Sequence, residues 1–283
     1  MYEKIMVAVD GSLSSMNALW QSFRIMKGRI TVVCIAPPYK KDLEYVDLGI
    51  TGTDIQSFLK SPCDKALAAA EKMAGQQCAA IETICEVAKL KEGILKTTEA
   101  SGCDLLVMGK SEHHLLGRTL PGNVTARVVG CSPTDVLILP RGATFKWKRI
   151  LLVINGSEYS KKAALRAMAL SKVHGGELKV LIVLDPVRSL CGSEPPPGNK
   201  ATKRVAPYID ELKELASMVN VHPEYMVQRG KPCGEILKIA GEQNVDLLVI
   251  GCKERAGLKR WLRGSVTQRV IDHSSCPILV VKR

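Results

Sequence analysis

The chain contains two copies of one pattern. Residues 4–12 read KIMVAVDGS and residues 149–157 read RILLVINGS; 104–109 read DLLVMG and 246–251 read DLLVIG; 136–139 read VLIL and 278–281 read ILVV. The offset is 145 positions at the front and 142 from the second match onward. Composition can produce one such match, but not three in one order at a nearly constant offset. The 283 residues therefore divide into two units, expected at 1–143 and 144–283, each long enough to bury a core of its own.

Each copy reads as alternating strands and helices. The first strand (4–9, 149–154) is short and apolar and ends in Asp-Gly-Ser or Asn-Gly-Ser, a turn signal. Ser14 and Ser157 are expected as helix caps. Met16, Leu19, Trp20 and Phe23 recur at helical spacing. Further strands are expected at 30–35 and 178–184, 80–86 and 223–228, 104–108 and 246–250, 135–139 and 277–281. Helices are expected at 61–75 and 205–219, 90–101 and 232–243, 122–130 and 264–273. The stretch 185–204, with Pro195, Pro196 and Pro197, reads as a mobile loop. Strands separated by helices imply crossover units and a mostly parallel sheet. Such sheets bind ligands beyond the carboxyl ends of their strands, so function belongs after the first and fourth strands. The linker, PRGATFKWK at 140–148, is short and favours close packing of the two units.

Composition fits that architecture. Apolar residues make up 46% but aromatics only 4%, so Val, Ile, Leu, Met and Ala must fill the cores, as parallel sheets covered on both faces require. No apolar run is long enough for a transmembrane helix, and MYEKIMVAVDGS does not open as a secretory signal; a cytoplasmic location is the expectation. Ten cysteines occur without CxxC or zinc spacing, which reads as buried free thiols in a reduced compartment. The pair His113 and His114 has no ligand spacing around it and reads as a loop or helix edge.

After the fourth strand the first copy reads Gly109-Lys-Ser-Glu and continues to Gly122-Asn123; the second runs from Gly251 to Gly264-Ser265. Gly264-Ser265 immediately precedes an expected helix. It reads either as a turn and cap or as an anion site, where backbone N–H groups and the helix dipole favour phosphate. Neither a Walker A loop nor GxGxxG is present. Residues 1–145 carry 16 Lys and Arg against 15 Asp and Glu, whereas 146–283 carry 24 against 13. Lys253, Arg255, Lys259, Arg260 and Arg263 crowd the segment that would face phosphates, with Trp261 among them as a core or interface anchor. This basic half either attracts anionic ligands or is a solvated face. No nucleic-acid motif accompanies it, so specific nucleic-acid recognition is not expected.

With these residues in place, the chain resembles a tandem member of the universal stress protein family over nearly all of both copies. The carboxyl-terminal signature, a helix, Cys-Pro and a final apolar strand, is matched by VIDHSSCPILVV at 270–281. The resemblance implies a three-layer α/β/α fold, adenine nucleotide alpha hydrolase-like, with a five-stranded parallel sheet of order 3-2-1-4-5 in each copy. It also implies a nucleotide site built from a strand-end Asp and a glycine pattern ending in Ser or Thr. Carried across, the first copy supplies Asp10 on the base and ribose side, Gly109 and Gly122, with Glu112 at the second glycine position and Asn123 for the hydroxyl residue. The second supplies Asn155, Gly251, Gly264 and Ser265, with Glu254 at the second glycine. Val227, Gly230 and Pro232 resemble the family's loop after strand 3, whose counterpart VAKL at 87–90 lacks the Gly and Pro. The first copy keeps the base-side group and the second the phosphate-side group. A glutamate in a phosphate loop adds like charge.

Three functions follow as expectations. The first is a non-catalytic stress-response regulator, an internal pseudo-dimer paired through strands 135–139 and 277–281, binding ATP with Mg²⁺ or another adenine nucleotide in at least one site, with two chains able to associate further as a homodimer. The second is a slow ATP hydrolase, which needs groups to hold Mg²⁺ and place water; Asp10 is its sole candidate. The third is a ligand-free module whose basic half docks an unidentified protein partner.

Overall fold

A computed structural model describes residues 2–25, 28–38, 52–110, 124–185, 200–252 and 265–282. In chain order the elements are β1 (Lys4–Ala8), α1 (Leu13–Ile25), β2 (Arg29–Ala36), α2 (Gly52–Gln76), β3 (Ile81–Val87), α3 (Leu90–Ala100), β4 (Leu105–Gly109), α4 (Val124–Cys131) and β5 (Asp135–Leu139). The second copy repeats them as β6 (Arg149–Ile154), α5 (Glu158–His174), β7 (Glu177–Leu184), α6 (Lys200–Met218), β8 (Glu224–Arg229), α7 (Pro232–Glu242), β9 (Leu247–Gly251), α8 (Val266–His273) and β10 (Ile278–Val281). The helices α2 and α6 begin earlier than the expected 61 and 205 and run through Pro62 and Pro207. Proline removes one ladder hydrogen bond, and here the chain stays helical on both sides of it.

The strands form one sheet rather than two. Its order is β3-β2-β1-β4-β5-β10-β9-β6-β7-β8. Every pairing within a copy is parallel, and the copies join through an antiparallel pairing of β5 with β10, Ile278 opposite Ile138, Leu279 opposite Leu137 and Val280 opposite Val136. That junction covers the edge each copy would otherwise expose. One core runs along each face through both copies. Leu19 of α1, Ala70 of α2, Ala163 of α5 and Leu212 of α6 belong to one. Ile94 of α3, Val128 of α4, Ile236 of α7 and Ile271 of α8 belong to the other. Helices on both faces make three layers, and explain why both faces of β4 and β9 are apolar and buried.

The junction is symmetric in position and asymmetric in chemistry. Asp135 is buried, its Oδ2 accepting from the Tyr2 hydroxyl at 2.6 Å and lying 3.2 Å from Nε of Arg166 on α5. Its Oδ1 accepts from the Lys282 backbone N–H at 2.8 Å, and the Arg166 guanidinium lies over the Tyr2 ring, 4.7 Å from its centroid. Burial first, and the neighbouring carboxylate second, push the Tyr2 phenol well above its ordinary value. On the other side of the pseudo-twofold, Trp147 takes the place of Tyr2 and Gln21 that of Arg166. Gln21 Oε1 accepts from the Phe145 N–H at 3.1 Å, and Trp147 stacks on His174 with centroids 4.4 Å apart. The linker is thereby packed against both copies.

The nine described cysteines are free. Cys34 and Cys85 are opposite each other on β2 and β3, with Cys63 of α2 against them. Burial, reinforced by the neighbouring thiols, pushes Cys63 up to about 12 and Cys85 to about 11, which keeps both protonated at neutral pH.

Candidate functional site

Strand order reverses between β1 and β4, so the carboxyl ends of these strands flank the start of α1. The turn after β1 needs Gly11, whose φ of +78° is the left-handed conformation that side chains disfavour. The helix then starts on Ser12, not Ser14: the Ser12 Oγ accepts from the Ser15 N–H at 3.3 Å, while Ser14 lies inside the first turn of α1. In the second copy Gly156 has φ of +75° and Ser157 caps α5 as expected, accepting from the Ser160 N–H.

Asp10 is exposed at the end of β1. Its Oδ1 accepts from the Ser12 N–H at 2.9 Å and from the Ser15 hydroxyl at 2.7 Å. Partial burial raises its pKa, but the hydrogen bonds from Ser12 and Ser15 outweigh that and hold it below the ordinary 3.8. It is therefore a carboxylate at neutral pH, with Oδ2 carrying no hydrogen bond among the described residues. Asn155, its counterpart, accepts from the Ser157 N–H through Oδ1 at 3.1 Å. What Asn155 has left is an amide NH₂, a donor where Asp10 offers an acceptor.

The second helix of each copy closes over this turn differently. Ala66 of α2 meets Gly11, where an added Cβ would stand 3.6 Å away. At the same repeat position α6 carries Tyr208, whose ring lies so close to Gly156 that a Cβ there would come within 2.8 Å. Only about 10 Å³ of space remains among Ile154, Gly156, Ser160, Tyr208 and Leu212. Lys161 ties the mouth further, 3.0 Å from Glu211 of α6 and 3.3 Å from Glu158. Those three positions are Met16, Ala69 and Leu13 in the first copy, and Leu13 is 69% exposed beside Asp10. The first copy thus presents a carboxylate next to an apolar rim, and the second a filled, ion-paired one.

The glycines have structural duties. A Cβ on Gly109 would collide with the backbone of Ser14 and Ser15, and one on Gly251 with that of Tyr159 and Ser160. These two residues let the first turn of α1 or α5 sit against the end of β4 or β9. Gly230 has φ of +153° and faces Glu235; in the first copy its counterpart Ala88 faces Gly93, so the glycine has changed sides of one contact. Lys110, next to Gly109, reaches across the junction and donates to the Ser274 carbonyl at 3.1 Å. Ser265 caps α8, accepting from the Gln268 N–H at 3.1 Å, with its O–H still available as a donor.

Of the expected residues, Asp10 and Gly109 come together around α1, and Asn155 and Gly251 around α5. Gly122, Asn123 and Gly264, together with Glu112, Glu254 and the basic run 253–263, lie outside the described residues. Ser12, Ser15, Ala66 and Tyr208 were not anticipated. The Ser12-to-Ser15 spacing and the register of Ala66 with Tyr208 in the repeat are the signals that carry them. Among the described residues no group of three or more His, Cys, Asp or Glu is suited to a metal ion, and Asp10 Oδ2 is the free carboxylate oxygen at the turn. No helix among them is long and apolar enough to cross a membrane.

The family model described as "Universal stress protein family" matches residues 1–140 and again 146–282. The universal stress protein YxiE of Bacillus subtilis is 33% identical over 147 residues, covering 48% of this chain and 99% of that protein. The universal stress protein MJ0531 of Methanocaldococcus jannaschii is 32% identical over 147 residues, 48% of this chain and 83% of its own. A crystal structure of a universal stress protein from Archaeoglobus fulgidus superposes with a TM-score of 0.77 at 20% identity, over 99% of this chain and 98% of that one; at that identity it shows the shared fold, both copies included.

Proposed function

The chain belongs to the universal stress protein family, and from that premise we propose a non-catalytic stress-response regulator that binds ATP with Mg²⁺, or another adenine nucleotide, in its first copy. The two copies, 1–143 and 144–283, act as an internal pseudo-dimer of adenine nucleotide alpha hydrolase-like domains. The observation that carries this reading is the carboxylate of Asp10: ionised, held by Ser12 and Ser15 through one oxygen, and offering the other at the switch point of the sheet. A carboxylate oxygen in that position accepts from ribose hydroxyls. The apolar rim of Leu13 and Met16 suits the face of a purine. Nine free thiols among the described residues agree with a reducing, cytoplasmic setting.

Calorimetry with Mg-ATP and with AMP tests this reading. Saturable binding is expected, lost in Asp10→Ala and retained in Asn155→Ala. Equal loss in both variants, or none in Asp10→Ala, contradicts it. A second reading rests on the closed mouth of the second copy and the excess of 24 Lys and Arg over 13 Asp and Glu in residues 146–283. In it, that half is a docking surface for a partner or a second chain. It predicts salt-sensitive association that Mg-ATP leaves unchanged.

A further inference from the structure

At the opposite end of the sheet, the amino-terminal ends of β1, β2 and β3 and the end of α3 enclose a groove of about 350 Å³, within the usual size range of small-molecule sites. Lys4, Arg29, Thr31, Glu82, Thr97 and Ser101 line it. Lys4 and Arg29 are register partners on β1 and β2, and neither forms an ion pair with a described residue. The nearby Asp104 carboxylate is occupied by the backbone N–H groups of Glu3 and Lys4, at 2.7 and 3.2 Å.

The second copy supplies an internal reference for this place. Lys179 stands where Thr31 does, since Thr31 pairs with Glu82 on β3 as Lys179 pairs with Glu224 on β8. Its Nζ donates to Gln243 Oε1 at 2.7 Å and lies 3.1 Å from Glu224 Oε2, bridging strand to helix end across the position of the groove. Gln243 and Ser101 are both helix C-caps. Arg149, at the position of Lys4, is spent on Asp246 at 3.1 Å, and Glu177 replaces Arg29. Lys179 and Arg149 are thus each paired within their own chain. In the first copy Thr31 and Ser101 are too short to bridge, and Lys4 and Arg29 line the groove with Glu82, neither paired with it.

We infer that this groove of the first copy is a second ligand site, separate from the nucleotide turn, for a small organic anion bearing a carboxylate or phosphate. Lys4 and Arg29 hold the anionic end, Arg29 offering a fork of donors. The hydroxyls of Thr31, Thr97 and Ser101 hydrogen-bond the remainder.

Amide chemical-shift mapping of the full chain, with inorganic phosphate and citrate as probes, tests the site. Saturable shifts are expected at Arg29, Thr31, Thr97 and Ser101. The double substitution Thr31→Lys with Ser101→Gln, which rebuilds the bridge of the second copy, should weaken binding about tenfold or more. Arg29→Ala, at an exposed position, should do the same without touching the core. Absence of saturable shifts with both probes, or shifts unchanged in both variants, would overturn the inference. So would shifts confined to Gly11, Ser12 and Ser15, which would place the anion at the nucleotide turn instead.

Discussion

The two copies share a backbone and differ in what they do with it. Each places a glycine turn after its first strand, caps the next helix with the serine that follows, and lets a fourth-strand glycine admit the helix backbone. On that common frame Asp10 leaves an acceptor free and Ala66 sets only a methyl against Gly11, whereas Asn155 leaves a donor and Tyr208 sets its ring against Gly156. The amino-terminal end repeats the lesson, open around Thr31 and bridged by Lys179. The parts that fold the chain are the same in both copies, and the side chains at the two ends of the sheet differ. At the amino-terminal end the second copy pairs Lys179 and Arg149 within its own chain, and at the carboxyl end Lys161 with Glu158 and Glu211.

Substitutions can break or sharpen that contrast. The largest effect is expected where the copies agree. Gly109→Ala and Gly251→Ala should each cost about 3 kcal/mol or more in urea denaturation, because the new Cβ meets backbone that cannot yield. A small cost in either would mean that its glycine serves a ligand rather than the fold. At the junction the copies differ: Asp135→Ala, which strands Arg166 and the Tyr2 hydroxyl, should cost about 3 kcal/mol. Gln21→Ala, which orphans one buried N–H, should cost about 1–2 kcal/mol. Equal values would make the junction symmetric in energy as well as in position.

The smallest effect concerns pH. Asp10→Asn gives the first copy the turn chemistry of the second. Since the folded pKa of Asp10 lies below the ordinary 3.8, its ionised form binds its partners more strongly than its protonated form does. The stability difference between the wild type and Asp10→Asn should be complete above that value and fade as pH falls through the lowered one. A difference that persists in acid would show that the carboxylate charge is not what Ser12 and Ser15 recognise.

Much of the architecture was legible because it depends on periodic burial. Strands 135–139 and 149–154 are found at the positions expected, and the pairing of the two last strands, which the family resemblance implied, is present. Less legible were features settled by distance between remote segments. Ser14 reads as the cap because nothing local distinguishes it from Ser12, and only the hydrogen bond from the Ser15 N–H to the Ser12 Oγ decides between them. Gly109 and Gly251 read as ligand glycines, yet their close neighbours are residues of the helix packed across from them. Asp135 reads as the first residue of an apolar strand, and nothing local marks it as the centre of a buried cluster drawn from both ends of the chain. Tyr208 is one aromatic residue on a long helix until its register with Ala66 places it over Gly156.

That register offers the most direct test of the central claim, that the first copy binds and the second is closed. The measurement is the calorimetric stoichiometry of Mg-ATP in the wild type, in Ala66→Tyr and in Tyr208→Ala. The account predicts one equivalent bound by the wild type, lost on introducing the tyrosine at 66 and unaffected by truncating Tyr208. Two equivalents in the wild type, or one that survives Ala66→Tyr, would contradict it.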